Sequence, residues 1–348
     1  MALDARALGD GDETGIGRYI HALVSALAET PAVAVRLYRR PFPPVLGPHL
    51  VSALRMRADG AALVHGPANA LPLVRYGLPG VVTVHDLAIY DHPEWFPRGQ
   101  WFATRVVVPR SVRGAALVIC PSVATREAVS RIMGVAPERC RVIPHGVDAV
   151  FRLPVAPSIA APLRERYALP ERYVLQVGTV QPRKNYVTTL RALARIPAPE
   201  RIPLLVAGGF GWDYEPVIRA VEQLGLRDFV RFIGYVAPRD LPGLYQQARA
   251  VVFPSHDEGF GLPVLEAFAA GVPVAASTGG AIPEVAGDAA LLSAPEDEAG
   301  LAENLQRLIE DEPLRQRLIA AGRVRAAPYT WSASAAAHRR AYRDAVAA

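Results

Sequence analysis

Short apolar runs and segments of helical period alternate along nearly the whole chain. Ala61–His65, Val81–Val84, Ala116–Cys120, Tyr173–Val177, Pro203–Ala207, Val230–Gly234, Ala250–Phe253 and Val272–Ala276 have the length and apolar continuity of buried strands. Ala2–Ala5, Val33–Tyr38 and Arg141–Pro144 read as further short strands. Ile16, Tyr19, Ile20, Leu23, Val24 and Leu27 recur at the spacing of one helix face, which predicts a helix reaching about Glu29. Helices are also predicted over Gly99–Arg113, from a Ser122 cap to about Ile132, and over Tyr186–Ile196, Pro238–Ala248, Glu298–Glu310, Leu314–Arg323 and Trp331–Val346. Strand–helix units repeated in this way build parallel sheets through right-handed crossovers. The alternation breaks once. Pro154, Pro157, Pro162 and Pro170 are expected to interrupt any long element between Phe151 and Glu171, marking a linker.

At 348 residues the chain is too long for one ordinary core, so two domains are expected. No apolar run reaches the ~18 residues that a membrane span needs. The opening MALDARALGDGDETG is acidic and lacks an apolar core, so it does not read as a signal peptide. The two cysteines, Cys120 and Cys140, are too few for a cysteine-based metal site and fit buried free thiols in a reducing cytoplasm. Net charge is +5, and residues 1–150 carry most of it, with 16 Arg against 12 Asp or Glu. That surplus is either an ordinary solvated surface or a face for anionic lipid or a phosphorylated acceptor. Nucleic acid fits poorly, because the basic residues are scattered without interleaved aromatics. One count narrows the chemistry: the chain has 37 arginines and a single lysine, Lys184. In an arginine-favouring composition, a lone lysine points to a site that needs a compact ammonium rather than a planar fork.

The stretch Phe253–Gly287 holds the densest candidate chemistry. A buried strand ends at Phe253, Glu258-Gly259-Phe260-Gly261 makes a glycine-rich turn, and Leu262-Pro263 opens an apolar helix closed by Gly271. A turn between a strand's end and a helix N-terminus offers N–H groups and a positive dipole end to an anion. Glu258 stands just before that helix and Glu266 about one turn inside it; each alone reads equally as an ordinary solvated acid. Arg183 and Lys184 lie in a second strand-to-helix turn, Gly178–Asn185. Gly15 and Gly17, in the TGIG that opens the first helix, form either a plain tight turn or one that receives a phosphate. His85-Asp86 ends the strand Val81–Val84, and the carboxyl end of a strand in an open α/β sheet faces the ligand crevice. A satisfied buried histidine is the other reading of His85, and Asp86 either orients it or caps the next turn.

E-G-F-G-L-P-x-L-E over 258–266 resembles the E-x7-E signature of the family-4 glycosyltransferases, retaining enzymes with the GT-B fold. DAR-L with GIGRYI near the start, VVTVHDLAIYDHPEWF over 81–96, HGVD over 145–148 and G-T-x-x-P-R-K-N over 178–185 are similar to segments of the same family. The resemblance covers nearly the whole chain. It implies an α/β GT-B protein with two Rossmann-like parallel-sheet domains facing a central cleft. Residues 1–152 would form an acceptor-side domain, 153–328 a nucleotide-sugar domain, and a helix over 329–348 would cross back onto the first. Arg183 and Lys184 would neutralise the leaving diphosphate, helped by the turn Gly259-Phe260-Gly261-Leu262. Glu266 would accept the ribose hydroxyls and Glu258 the sugar hydroxyls, with Tyr235 and Val236 near the base. His85 would approach the donor sugar, and Gly15 and Gly17 would let the backbone approach the nucleotide-sugar. No carboxylate is placed as a nucleophile, so the acceptor would attack on the leaving-group face. No DxD-like aspartate pair stands out among these motifs, so two cations and a helix end would replace a divalent metal. Neither metal nor cofactor is expected, the nucleotide-sugar being a co-substrate. There are two departures. Thr179 stands where some members carry an arginine, and members have more residues before DAR, which implies either a clipped start or a first strand cut short at its edge.

The G-T-x-x-P-R-K-N turn with HDL and HPE looks like that of bacterial polysaccharide mannosyltransferases. It implies transfer of a hexose, mannose from GDP-mannose, to a glycan or lipid-linked saccharide in polysaccharide or glycoconjugate synthesis. A cytoplasmic protein, peripheral at the anionic inner membrane face, is the matching location. UDP-dependent glucosyl or N-acetylglucosaminyl transferases and sugar-phosphate synthases share the outline. A nucleotide-sugar-binding module without turnover would be expected to have lost Glu258, Lys184 or His85, and all three are present. Pro41–Pro48 and Tyr90–Gly99 would meet the acceptor but carry no decodable pattern, and nothing indicates oligomeric state.

Overall fold

In the computed structural model the described residues are 1–5, 15–29, 34–38 and 51–347. They form two compact units. The first comprises Met1–Pro93, Pro97–Gly146 and Tyr329–Ala348; the second comprises Glu94–Phe96 and Val147–Pro328. The polar part of the first glycine-rich turn (residues 6–14) and the Pro41–Pro48 segment lie outside the described residues.

The first unit is built on six parallel strands: β1 (Ala2–Asp4), β2 (Arg36–Tyr38), β3 (Val64–Gly66), β4 (Gly80–Thr83), β5 (Leu117–Cys120) and β6 (Cys140–Val142). Their order is β2-β1-β3-β4-β5-β6. In the register Val81 faces Leu117 and Val118 faces Cys140. Strands β3, β4 and β5 are buried at every position. Helices cover both faces of such a sheet, which is why these strands read as continuous apolar runs. The helix Gly15–Ala28 buries Tyr19, Ile20, Leu23 and Leu27 of the predicted stripe, and Ile16 and Val24 pack against the same core partly buried. The helix Val123–Met133 starts as expected, with Ser122 Oγ accepting from the Thr125 N–H at 3.0 Å. The helix expected over 99–113 runs over 101–114 and widens into a π-turn at Ala103–Val107. Cys120 and Cys140 are buried free thiols on adjacent strands.

The last helix, Trp331–Ala347, belongs to this unit. Its Ala335, Ala341, Tyr342 and Ala345 share one core with Tyr19, Ile20, Leu23 and Leu27. Gly146 of the HGVD segment explains how the returning chain fits. A Cβ there would lie 2.3 Å from the Trp331 nitrogen and 2.7 Å from its Cα, so only glycine lets the two backbones meet.

The second unit has β7 (Val174–Val177), β8 (Leu204–Ala207), β9 (Val230–Gly234), β10 (Ala250–Phe253), β11 (Val274–Ser277) and β12 (Ala290–Ser293). All are parallel, in the order β12-β11-β10-β7-β8-β9. The chain builds outward from β7 to β9, then returns to the other side of β7 and builds outward again from β10. Neighbouring strands β7 and β10 therefore mark the topological switch point, where open α/β sheets bind ligands beyond their carboxyl ends.

The proline-rich linker differs from expectation. Pro157–Arg166 is a ten-residue helix that contains Pro162. Pro157 sits in its first turn, where the missing N–H is no loss. Pro162 removes a single backbone bond, and Leu163, 2 % exposed, anchors the helix in the core. Strand β12 and the helix Glu215–Gln223 are additions to the elements expected from the sequence. Among the described residues no helix is long and apolar enough to cross a membrane.

Candidate active site

The turns after β7 and β10 meet at the switch point of the second unit. After β7, Pro182–Lys184 forms one tight 3-10 turn and Asn185 sits in the left-handed region at φ 54°, opening the helix Tyr186–Arg195. Its amide Nδ2 donates to the carbonyls of Pro254, at 3.0 Å, and Pro295, at 2.6 Å. The His256 N–H donates to the Arg183 carbonyl at 2.9 Å. The Pro254 and His256 bonds stitch the cationic turn onto the segment that follows β10, and the Pro295 bond ties it to the one that follows β12.

The side chains converge as a result. Arg183 Nη1 lies 2.9 Å from Glu258 Oε2 and also donates to the Asp257 carbonyl at 2.9 Å. Lys184 Nζ lies 2.6 Å from Glu258 Oε1 and 5.0 Å from the centre of the Phe253 ring. The three side chains are only 13 %, 13 % and 10 % exposed. Burial pushes the Glu258 carboxyl up, but the Arg183 and Lys184 charges outweigh it and hold the group at about 2. The lone lysine is thus one of two cations sharing one carboxylate. The cluster keeps a net positive charge beside the N-terminus of the helix Leu262–Ala270, and both features attract a diphosphate.

A glycine pair after β11 holds the Glu258 loop in place. Ser277 Oγ donates to the Ser255 carbonyl at 2.5 Å, and the Ala281 N–H donates to the Glu258 carbonyl at 2.8 Å. Gly280 has φ +56°, and a Cβ there would lie 2.1 Å from Asp257 Oδ1 and 2.3 Å from the Glu258 carbonyl oxygen. Asn185 and Gly280 had no role in the sequence reading. A Gly-Gly pair between a buried strand and a helix was the available signal for the second.

The remaining candidates of this unit lie around the same sheet edge. Gly259 and Phe260 lead into Gly261, which caps the helix at φ +98°, and Leu262 begins it. Glu266 is 1 % exposed, and its Oε2 accepts from the Tyr245 hydroxyl at 2.9 Å. It is fixed more deeply than a ligand-facing acid was expected to be. Tyr235, 54 % exposed, and the buried Val236 follow β9. Trp95 of the HPEW segment, grouped with this unit, stacks on His256 at 5.0 Å between ring centres.

In the first unit, Gly15 and Gly17 begin the helix Gly15–Ala28, Gly17 being buried. His85 follows β4 and is partly buried. Its N–H donates to Asn69 Oδ1 at 2.8 Å, and its Nε2 donates to the Pro67 carbonyl at 2.7 Å. That carbonyl fixes the tautomer, so the neutral ring has Nδ1 as its acceptor. Burial lowers the His85 pKa; the Pro67 bond and the Asp86 charge act in the opposite direction. Asp86 thus biases His85 electrostatically. His145 of HGVD lies 5.3 Å from the His85 ring and 4.7 Å from Tyr19. The sequence singled out neither Asn69 nor Pro67. Among the described residues no group of three or more His, Cys, Asp or Glu is arranged to hold a metal ion.

A family model for glycosyl transferases group 1 matches residues 163–325, and one for glycosyltransferase family 4 matches residues 26–151. The chain is 32 % identical to O-antigen chain mannosyltransferase B of Escherichia coli, covering 77 % of this chain and 71 % of that one. It is 32 % identical to D-inositol 3-phosphate glycosyltransferase of Salinispora arenicola, covering 98 % and 89 %. In fold it is similar to sucrose-phosphate synthase from Thermosynechococcus elongatus, with a TM-score of 0.79, 24 % identity and 98 % of both chains covered. Anabaena HepE in complex with UDP and glucose gives 0.78, 21 % and the same coverage.

Proposed function

Since the chain belongs to the family-4 glycosyltransferases and has their two-domain α/β GT-B fold, we propose that it is a retaining, metal-independent hexosyltransferase using a nucleotide-sugar donor. The Arg183–Lys184–Glu258 cluster at the β7/β10 switch point carries this reading. The donor's diphosphate replaces Glu258 as partner of the two cations, and the freed carboxylate turns to the sugar hydroxyls. The acceptor hydroxyl oxygen then bonds the anomeric carbon as its bond to the diphosphate oxygen breaks. The acceptor's proton passes to the departing diphosphate on the same face. Charge grows on that group, and the two cations and the helix end at Leu262 stabilise it in place of a metal. Gly15 and Gly17 admit the donor's phosphates, Tyr235 and Val236 border its base, and Glu266 takes its ribose. His85 acts on the transferred sugar, a role resting on the resemblance of its HDL segment.

The likeness to the mannosyltransferase of Escherichia coli favours GDP-mannose and a polysaccharide or lipid-linked saccharide acceptor. The positive surplus of residues 1–150 favours an acceptor held at the anionic inner face of a bacterial membrane. A second reading, transfer from a UDP-sugar to a phosphorylated polyol, is favoured by likeness over 98 % of the chain to the inositol 3-phosphate enzyme. Binding and slow hydrolysis of GDP-mannose, UDP-glucose and UDP-N-acetylglucosamine in EDTA separate the readings. Cleavage of GDP-mannose alone supports the first, and cleavage of a UDP-sugar alone supports the second. Binding of a donor without cleavage, with any acceptor offered, would leave a binding module instead.

A further inference from the structure

Four of the protein's eight histidines gather inside the first unit. Two of them belong to a continuous buried chain of hydrogen bonds. Tyr342 Oη is 2.9 Å from His65 Nδ1, and His65 Nε2 is 2.9 Å from Thr83 Oγ1. Thr83 Oγ1 is 2.9 Å from Tyr19 Oη, which is 2.9 Å from His338 Nε2. His338 Nδ1 ends the chain 2.8 Å from the Ser334 carbonyl. Tyr19, His65, Thr83 and His338 are fully buried, and Tyr342 nearly so.

The carbonyl at the end fixes every hydrogen. It can only accept, so His338 carries its proton on Nδ1 and accepts at Nε2 from Tyr19. Tyr19 then accepts from Thr83, Thr83 from His65 Nε2, and His65 Nδ1 from Tyr342. Every donor has an acceptor while both rings are neutral, and burial holds both below the ordinary histidine range. A proton added at His338 Nε2 turns an acceptor into a donor. Tyr19 must then donate to Thr83, and the Thr83 hydrogen loses its acceptor unless His65 also changes tautomer against Tyr342. The chain therefore switches as a unit.

Tyr19 is where this chain meets His85. Its ring stands edge-on to the His85 imidazole, 4.8 Å away at 80°. It also touches His145, itself 6.0 Å from Trp331 at the start of the last helix. Asp86 is the acidic group whose charge acts on His85. We propose that Tyr19 is a positioning residue for His85, and that the C-terminal helix sets its orientation through the hydrogen-bond chain from His338 and Tyr342. The last helix is then a working part of the site.

The inference rests on the transferase reading only through the role of His85. It is tested on the full chain. In long-range proton–nitrogen spectra of the histidine rings, His338 shows its proton on Nδ1, and His65 and His85 show theirs on Nε2. A proton on His338 Nε2 at neutral pH overturns the ordered chain. Tyr342→Phe removes the far donor without touching His85, yet shifts the His85 ring signals; unmoved signals overturn the coupling. In the transfer assay Tyr19→Phe lowers kcat by about ten- to a hundredfold with the donor KM held within about twofold. That loss vanishes when the background is His85→Ala, and additive losses overturn the proposal. Tyr342→Phe carries the same cycle if Tyr19→Phe does not fold. Absence of transfer by the wild type would refute the transferase reading, while the ring signals still decide this one.

Discussion

Replacing Glu258 by glutamine should separate stability, diphosphate binding and turnover, and should move the last two in opposite directions. Glutamine keeps the shape and removes the charge between Arg183 and Lys184. The carboxyl sits at about 2 against an ordinary 4.5. That lowering corresponds to about 3 kcal/mol favouring the charged form in the fold. The unfolded chain gains nothing comparable, so the variant should lose about that much, or roughly 6–12 °C in the Tm of the second unit. The two cations are left 13 % exposed without their carboxylate partner, and an added anion becomes worth more. If a diphosphate recovers half of the lost interaction, its Kd tightens about tenfold. Calorimetry with pyrophosphate, GDP and UDP measures this, and scanning fluorimetry measures the Tm with and without each. Turnover should fall at least about a hundredfold, because the carboxylate no longer reaches the sugar. A variant with wild-type Tm, or one that binds diphosphates more weakly while folded, would refute the reasoning.

Three further outcomes follow from the same structure. Lys184→Ala should keep the fold and lower turnover about a hundredfold or more in a donor-saturated assay, and wild-type turnover would remove the role given to the lone lysine. Gly280→Ala should lower both Tm and donor affinity, since its Cβ would collide with Asp257 and Glu258; an unchanged diphosphate Kd would show that the glycine does not hold the loop. Acid should loosen the first unit. Burial holds His338 at about 4, and His65, His85 and His145 are also lowered, chiefly by burial, whereas unfolded histidines titrate near 6.5. Below pH 6.5 the unfolded chain binds protons that the folded chain refuses, so stability is full above that value and falls towards pH 4. The His338 share is about 3 kcal/mol across that window, and a urea midpoint unchanged between pH 7 and 5 would refute the neutral cluster.

Every strand but β12 was legible because buried parallel strands have a clear pattern, the short apolar run followed by a helical period; β12, an edge strand, is only partly buried along its length. The Glu258 loop was legible because its whole function is packed into consecutive residues at one strand end. Asn185 and Gly280 were not, since each acts on a loop distant in sequence, Asn185 reaching Pro254 and Pro295 across 69 and 110 positions. His65 and His338 were hidden for the same reason. A single histidine on an apolar face looks like any satisfied core residue, and only strand register and the return of the last helix bring the rings together. Pro162 misled because proline weakens a helix locally, while Leu163 beside it supplies the burial that keeps the helix formed.

The bond between Tyr19 and His338 joins positions 319 residues apart, and it orders events on the ribosome. Residues 1–146 leave the exit tunnel with the seat of the last helix bare, including the polar groups of Tyr19, His65 and Thr83. All of the second unit must be synthesised before His338 and Tyr342 arrive. At 5–20 residues per second that wait lasts roughly 10–40 s. The second unit, continuous from Val147 to Pro328 apart from three residues, can finish folding first. The half made first is therefore the half completed last, and during the interval its open flank is a natural client for a chaperone.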